Sequence, residues 1–206
     1  MFLSLSRRFT GIIPTLTNTR PREWLRASVG ASLGILFSVW LCQQLFGLSV
    51  ALLLIGPLGA SAILLFAVPS GALAQPWSIL GSYFLASVVA TAVAHYGGHT
   101  LDMAALATGV TLVCMFVLRC VHPPGGAVAL GVVLAGPALQ ALSEMAILPV
   151  MLNAFALLAS ALLYNNLTGV PYPRRPAPAI DLHHTNDRSP ELRVGITDAD
   201  MDAALD

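Results

Sequence analysis

Long apolar runs, separated by short polar or glycine- and proline-bearing breaks, set the organisation of this chain. After a polar, basic opening over residues 1–23, the first run covers about 25–46, long enough to cross a bilayer. The second, about 48–68, is interrupted by Gly56-Pro57-Leu58-Gly59. Further runs cover about 79–96, 103–118 and 145–164. Between the last two lies a shorter one, about 124–135, which crosses a bilayer only if residues 119–123 lie at membrane depth. The pattern predicts an all-α polytopic membrane protein with six transmembrane segments. Its parts are a cytosolic segment, 1–23, a transmembrane domain, 24–168, and a cytosolic proline-rich linker and tail, 169–206. In the tail, Thr197-Asp198-Ala199-Asp200 reads as a helix start, leading into a further cytosolic domain or belonging to a disordered end.

Composition decides the class. Hydrophobic residues make up 56% and charged residues 10% of the chain, where soluble domains carry about 25% charge. Net charge is zero, so nothing points to nucleic acid. The basic residues are all arginine, and their placement sets topology. With the amino terminus in the cytosol, Arg7, Arg8, Arg20, Arg22, Arg26, Arg119, Arg174 and Arg175 fall inside, whereas the outer loops carry only Asp102 and Glu144. Six crossings thus satisfy the positive-inside rule, with both termini cytoplasmic in a bacterial inner membrane; five crossings would send Arg174 and Arg175 outside. Ser6-Arg7-Arg8-Phe9 faintly echoes an export signal but lacks a cleavage site, and reads as a cytosolic anchor. Cys42, Cys114 and Cys120 form no CxxC pair and read as buried structural thiols.

Gly56-Pro57-Leu58-Gly59-Ala60-Ser61-Ala62 and His122-Pro123-Pro124-Gly125-Gly126-Ala127-Val128 align at an offset of 66. Three crossings per unit give the units opposite orientation: two inverted three-helix repeats whose broken helices meet near the midplane, where transporters hold their solutes.

Both broken segments carry candidate chemistry. Prolines opening a helix leave amide groups pointing outward, and the positive helix end favours anions. Gly56, Pro57, Gly59, Ala60 and Ser61 on one side, and Pro123, Pro124, Gly125, Gly126 and Ala127 on the other, would frame a small-anion site. The same residues also suit close helix packing. Arg119 would supply fixed positive charge, and His122 a hydrogen bond or a titrating group; His122 also fits a purely structural role. Gln75 and Asn153 would line the path or hold helices together. No nucleophile–base set, phosphate loop or carboxylate pair is present, so an enzyme is not expected, and no cofactor or metal is called for. A rival reading takes His95, His99 and Asp102 as a metal site, although Gly97-Gly98 between them favours a turn. His183-His184 carries little weight.

The stretch from Arg119 to Ala127 resembles the signature of the HPP family of integral membrane proteins, named for its His-Pro-Pro motif. The stretches 57–69 and 73–77 resemble a second motif of that family; the likeness covers about 20–170. One departure is Ser70-Gly71-Ala72, where related sequences often have Ser-Pro. The resemblance implies a transport role, since plant plastid members are associated with nitrite, and a cytosolic pair of CBS domains after the membrane part in many bacterial members. The expectation is therefore a transporter or channel for a small monovalent anion, nitrite first and nitrate second. Its alternative is a membrane anchor or sensor coupled to a cytosolic regulatory domain. Gly30, Gly34 and Ala27 in the first run suit packing between subunits, and a homo-oligomer, a dimer in the simplest case, is expected.

Overall fold

A computed structural model describes residues 20–135 and 137–174, which are helical with no strand among them. Expectations concerning Arg7, Arg8, Arg175, His183, His184 and the segment from Thr197 lie outside the described residues. Helix α1, Pro21–Phe46, opens on proline at its first position, and Glu23 in its first turn suits the positive helix end. The second run splits into α2, Leu48–Leu53, and α3, Ile55–Ala67. The sequence pattern places the interruption at 56–59; it stands instead at Leu54. Pro57 has no N–H to offer the Leu53 carbonyl and its ring crowds that oxygen, so the ladder fails before the proline. Helix α4 spans Pro76–Gly97, α5 Leu101–Val117, α6 Pro123–Val133, α7 Pro137–Gln140 and α8 Ile147–Leu167, with 3-10 turns at Ala72–Ala74 and Ser143–Ala146.

Three helical stretches, Pro21–Phe46, Pro76–Gly97 and Glu144–Leu167, are long and apolar enough to cross a membrane; Ile55–Ala67, Leu101–Val117 and Pro123–Val133 are shorter apolar helices. Side-chain size is sorted inside out. Ala62, Ala86, Ala90, Ala107, Ala129 and Ala161 are fully buried, while Leu36, Ile63, Val113, Phe116 and Leu163 are each more than 60% exposed. Water would forgo roughly 1.5–3 kcal/mol at each such large side chain. A bilayer imposes no such loss, and small residues inside let helix backbones approach. The protein is an integral membrane protein. Helix α1 packs on α3 and α8, α5 packs on α4 and α6, and α4 also contacts α6 and α8. Phe66 of α3 fits against Gly30 and Gly34 of α1 and edge-on to Tyr164 of α8.

Polar bonds tie the helix ends into two groups. At one end, Arg26 of α1 donates from Nη1 to Asn165 Oδ1 of α8 (2.8 Å) and from Nη2 to the Phe66 carbonyl of α3 (2.9 Å), and pairs through Nε with Glu23 (2.8 Å). Asn165 also donates to the Leu65 carbonyl (3.0 Å), and Tyr164 Oη to the Arg26 carbonyl (2.9 Å). The orphan carbonyls ending α3 are thus capped from two other helices. Trp77 Nε1, opening α4, donates to the Leu118 carbonyl after α5 (3.0 Å). At the opposite end, His99 Nδ1 donates to the Val133 carbonyl of α6 (2.7 Å).

Candidate functional site

An enclosed polar cluster lies about 10 Å inward from the arginine-bearing end. Tyr83 stands seven residues into α4 and Ser61 six residues before the end of α3, at about 1.5 Å of rise each. His122 caps α6 with extended backbone, forced by the proline that follows it. Its Nε2 lies 2.8 Å from Ser61 Oγ, which lies 2.7 Å from Tyr83 Oη; its Nδ1 lies 2.7 Å from the Leu73 carbonyl. Both His122 and Ser61 are 0% exposed.

The chemistry of the partners orients this chain. A carbonyl only accepts, so Nδ1 carries the proton, and Nε2 of the neutral ring must accept. Ser61 then donates to Nε2 and accepts from Tyr83. Each donor in the chain is used, and each bond polarises the next. Protonating the ring would reverse the sense: Nε2–H would donate to Ser61, whose hydroxyl would turn to Tyr83. That reversed arrangement is reached through hydroxyl rotation and turns the Tyr83 O–H away from Ser61.

The structure brings together two expected site residues, Ser61 and His122. Arg119 is not part of that contact. Its side chain is exposed and has no polar partner among the described residues. Its backbone is left-handed, φ 54°, and closes α5 as Arg119 N–H donates to Phe116 O (3.2 Å) and Cys120 N–H to Met115 O (2.9 Å). That is a Schellman end with arginine where glycine is usual.

The two helix openings also differ from the expected facing pair. Because α3 begins at Ile55, the amides of Gly59, Ala60 and Ser61 lie inside its hydrogen-bond ladder; Gly56 and Ala60 are exposed and Pro57 is buried. In α6, Pro123 and Pro124 lack N–H, and Gly125 N–H is taken by the His122 carbonyl (2.9 Å), so its opening turn offers few free donors. Gly125 is buried where a Cβ would come 2.5 Å from Met115 Cε and 3.0 Å from Ser82 Cβ, so its bareness serves close packing. Gly126 faces the Thr108 methyl, and Pro123 and Ala127 are exposed. Gln75 clamps a loop, donating to the Gly71 and Pro69 carbonyls (2.8 and 3.1 Å). Asn153 is buried in α8, donating to the Pro149 carbonyl (2.9 Å), with its Oδ1 unpartnered.

His95 and His99 line a cavity of about 270 Å³ at the opposite end with Thr91 and Gln140. Among the described residues, no three His, Cys, Asp or Glu groups gather as a metal site.

Two contributors escape a reading of the sequence: Tyr83 and Arg26. Tyr83 looks like any core aromatic; the available signal is a hydroxyl-bearing ring in mid-run, flanked by Ser78, Ser82 and Ser87. Arg26 counts only as a topology charge until its partners are seen.

A family model described as the HPP transmembrane region matches residues 16–173. The chain is 33% identical over 117 residues to a transmembrane protein of Dictyostelium discoideum, covering 55% of this chain and 41% of that protein. It is 29% identical over 148 residues to a second transmembrane protein of that organism, covering 70% and 46%. The chain spans less than half the length of the curated relatives it matches. No solved structure matches it.

Proposed function

The chain belongs to the HPP transmembrane family, and from that premise we propose that it conducts a small monovalent anion, nitrite first and nitrate second, across a bacterial inner membrane. One observation carries the reading: a fully buried histidine opens a short helix inside an apolar bundle and bonds the Ser61 hydroxyl of a second helix, which in turn bonds the Tyr83 hydroxyl of a third. Polar groups at such depth are costly and mark solute paths. Tyr83, Ser61 and His122 bond one another, which would close the proposed path. A passing oxyanion would take their place as acceptor, receiving the Tyr83 and Ser61 hydroxyls and, from the protonated ring, Nε2–H. Stripping an ion of water costs on the order of 20 kcal/mol in the idealised limit, and hydrogen bonds to a charge return about 1.5–3 kcal/mol each. Three donors cannot close that gap, so water accompanies the ion. Arg119, exposed at the end of α5, attracts anions to the mouth instead of binding them at depth.

The proposed topology is six crossings in two inverted units, with the arginine-bearing end cytosolic. Reciprocal packing supports it: α1 lies on α3 and α8, and α5 lies on α6 and α4, the same wiring with the halves exchanged. The short helices are also closed alike, α3 by Asn165 and α6 by His99, and these positions stand at the repeat offset of 66.

The test is nitrite uptake by liposomes containing the purified chain. His122→Gln removes the protonatable ring and Ser61→Ala the hydroxyl donor, and each should slow uptake roughly tenfold or more. Uptake unchanged by both substitutions would end this reading.

A further inference from the structure

The short segment following α8 reaches the site through a turn whose carbonyls are bonded by side chains. Helix α8 ends in a Schellman motif: Gly169 takes φ 79°, its N–H donates to Asn166 O (3.3 Å), and Val170 N–H donates to Asn165 O (2.8 Å). The chain therefore doubles back beneath the bundle. Asn166 grips the returning strand at both backbone groups of Tyr172, donating from Nδ2 to its carbonyl (2.6 Å) and accepting its N–H at Oδ1 (3.2 Å). The Tyr172 ring is 3% exposed, and its hydroxyl donates to the Ala74 carbonyl (2.6 Å).

That carbonyl belongs to the turn between α3 and α4, where each carbonyl in sequence is claimed by a side chain. Gln75 takes those of Pro69 and Gly71, and Arg174 Nη1 takes Ser70 (3.2 Å). Ser78 takes Ala72 (2.9 Å), His122 takes Leu73 and Tyr172 takes Ala74. Gln75 itself accepts the Arg174 N–H (3.1 Å). The carbonyl that fixes the imidazole and the carbonyl that receives the Tyr172 hydroxyl therefore lie on adjacent peptide units, with no slack between them.

We infer that Tyr172 is a positioning residue for His122: the strap Val170 to Arg174 sets where the Leu73 carbonyl stands, and through it the tautomer and tilt of the imidazole. Displacing the strap frees the Ala74 carbonyl, lets the turn relax, and releases Nδ1 from its acceptor. His122 then samples both tautomers, and Nε2 no longer accepts from Ser61 alone. The inference rests on the proposed transport role only for its functional consequence; the mechanical link stands on the bonds themselves.

The experiment is ¹⁵N NMR of histidine-labelled protein in bilayers, with the His122 signals identified by their loss in His122→Gln. In the unaltered chain these signals should report one tautomer, with the proton on Nδ1. Tyr172→Phe should shift both nitrogen signals toward a tautomer mixture, and Tyr96→Phe, at an exposed ring, should leave them in place. Asn166→Ala, at an exposed position, frees the strap without touching the turn and should produce the same shift even if the phenylalanine variant folds poorly. Signals unmoved by either strap variant in folded protein overturn the inference. Nitrite uptake measured on the same samples keeps the two readings apart. Shifted signals with uptake indifferent to both His122→Gln and Ser61→Ala uphold the strap and remove the transport role. Shifted signals with uptake slowed by up to about tenfold support both.

Discussion

Replacing Arg26 with alanine breaks three bonds at once, those to Asn165 Oδ1, the Phe66 carbonyl and Glu23 Oε2. Its side chain is only 10% exposed, and Glu23 is 33% exposed. The ion pair itself contributes little, since partly exposed pairs are worth about 0–1 kcal/mol. The other two bonds dominate: the substitution strands one amide oxygen and one helix-terminal carbonyl where α1, α3 and α8 meet. Interhelical bonds in membranes average about 0.6 and reach about 1.7 kcal/mol, and leaving a buried acceptor unsatisfied costs about 1–3 kcal/mol. Those bounds give a loss of about 2–5 kcal/mol for Arg26→Ala. At roughly 2–4 °C per kcal/mol for a chain of this size, the melting temperature in detergent should fall by about 4–20 °C. Glu23→Gln should move it by no more than about 4 °C, and Arg26→Lys, which keeps charge but loses the planar fork, should lie between. Thermal unfolding followed by tryptophan fluorescence reads all three. An Arg26→Ala protein that melts with the parent would show that this network contributes nothing to the bundle.

Two further substitutions follow from backbone and packing. Arg119→Gly should raise stability by about 1 kcal/mol, because a left-handed position disfavours a side chain by roughly that amount, while Arg119→Val should lower it; thermal melts check both. Gly125→Ala should cost about 1–3 kcal/mol, because the new Cβ meets Met115 Cε and Ser82 Cβ. Adding Met115→Leu, which retracts that terminal group, should restore part of the loss, and a double-mutant cycle measures the coupling.

The helices were largely legible because lipid demands long apolar runs. The expected 25–46, 79–96, 103–118, 124–135 and 145–164 fall close to Pro21–Phe46, Pro76–Gly97, Leu101–Val117, Pro123–Val133 and Ile147–Leu167. Extra turns at the starts of α1 and α4 come from prolines, which look like breakers but open helices well. His122 and Ser61 stood out as polar groups at depth. Their partners did not, because helix rotation and crossing decide which faces meet, and an apolar run with uniform hydropathy does not encode rotation. Tyr83 and Arg26 acquire meaning only once α3 is placed between α1, α4 and α8. Tyr172 sits in a proline-rich stretch whose composition suggests a free spacer, and only the return past Gly169 turns it into a bound segment.

The turn from Pro69 to Ala74 carries a wider consequence. Irregular connections usually tolerate changes of length because their backbone groups face water and can find new solvent partners. Here six successive oxygens each accept from a named side chain, Gln75 serving two of them. Adding or deleting a single residue would slide the whole series out of step, as a one-place slip does between paired strands. For engineering purposes this connection therefore behaves like a ladder rung by rung, and tags or reporter insertions belong elsewhere in the protein.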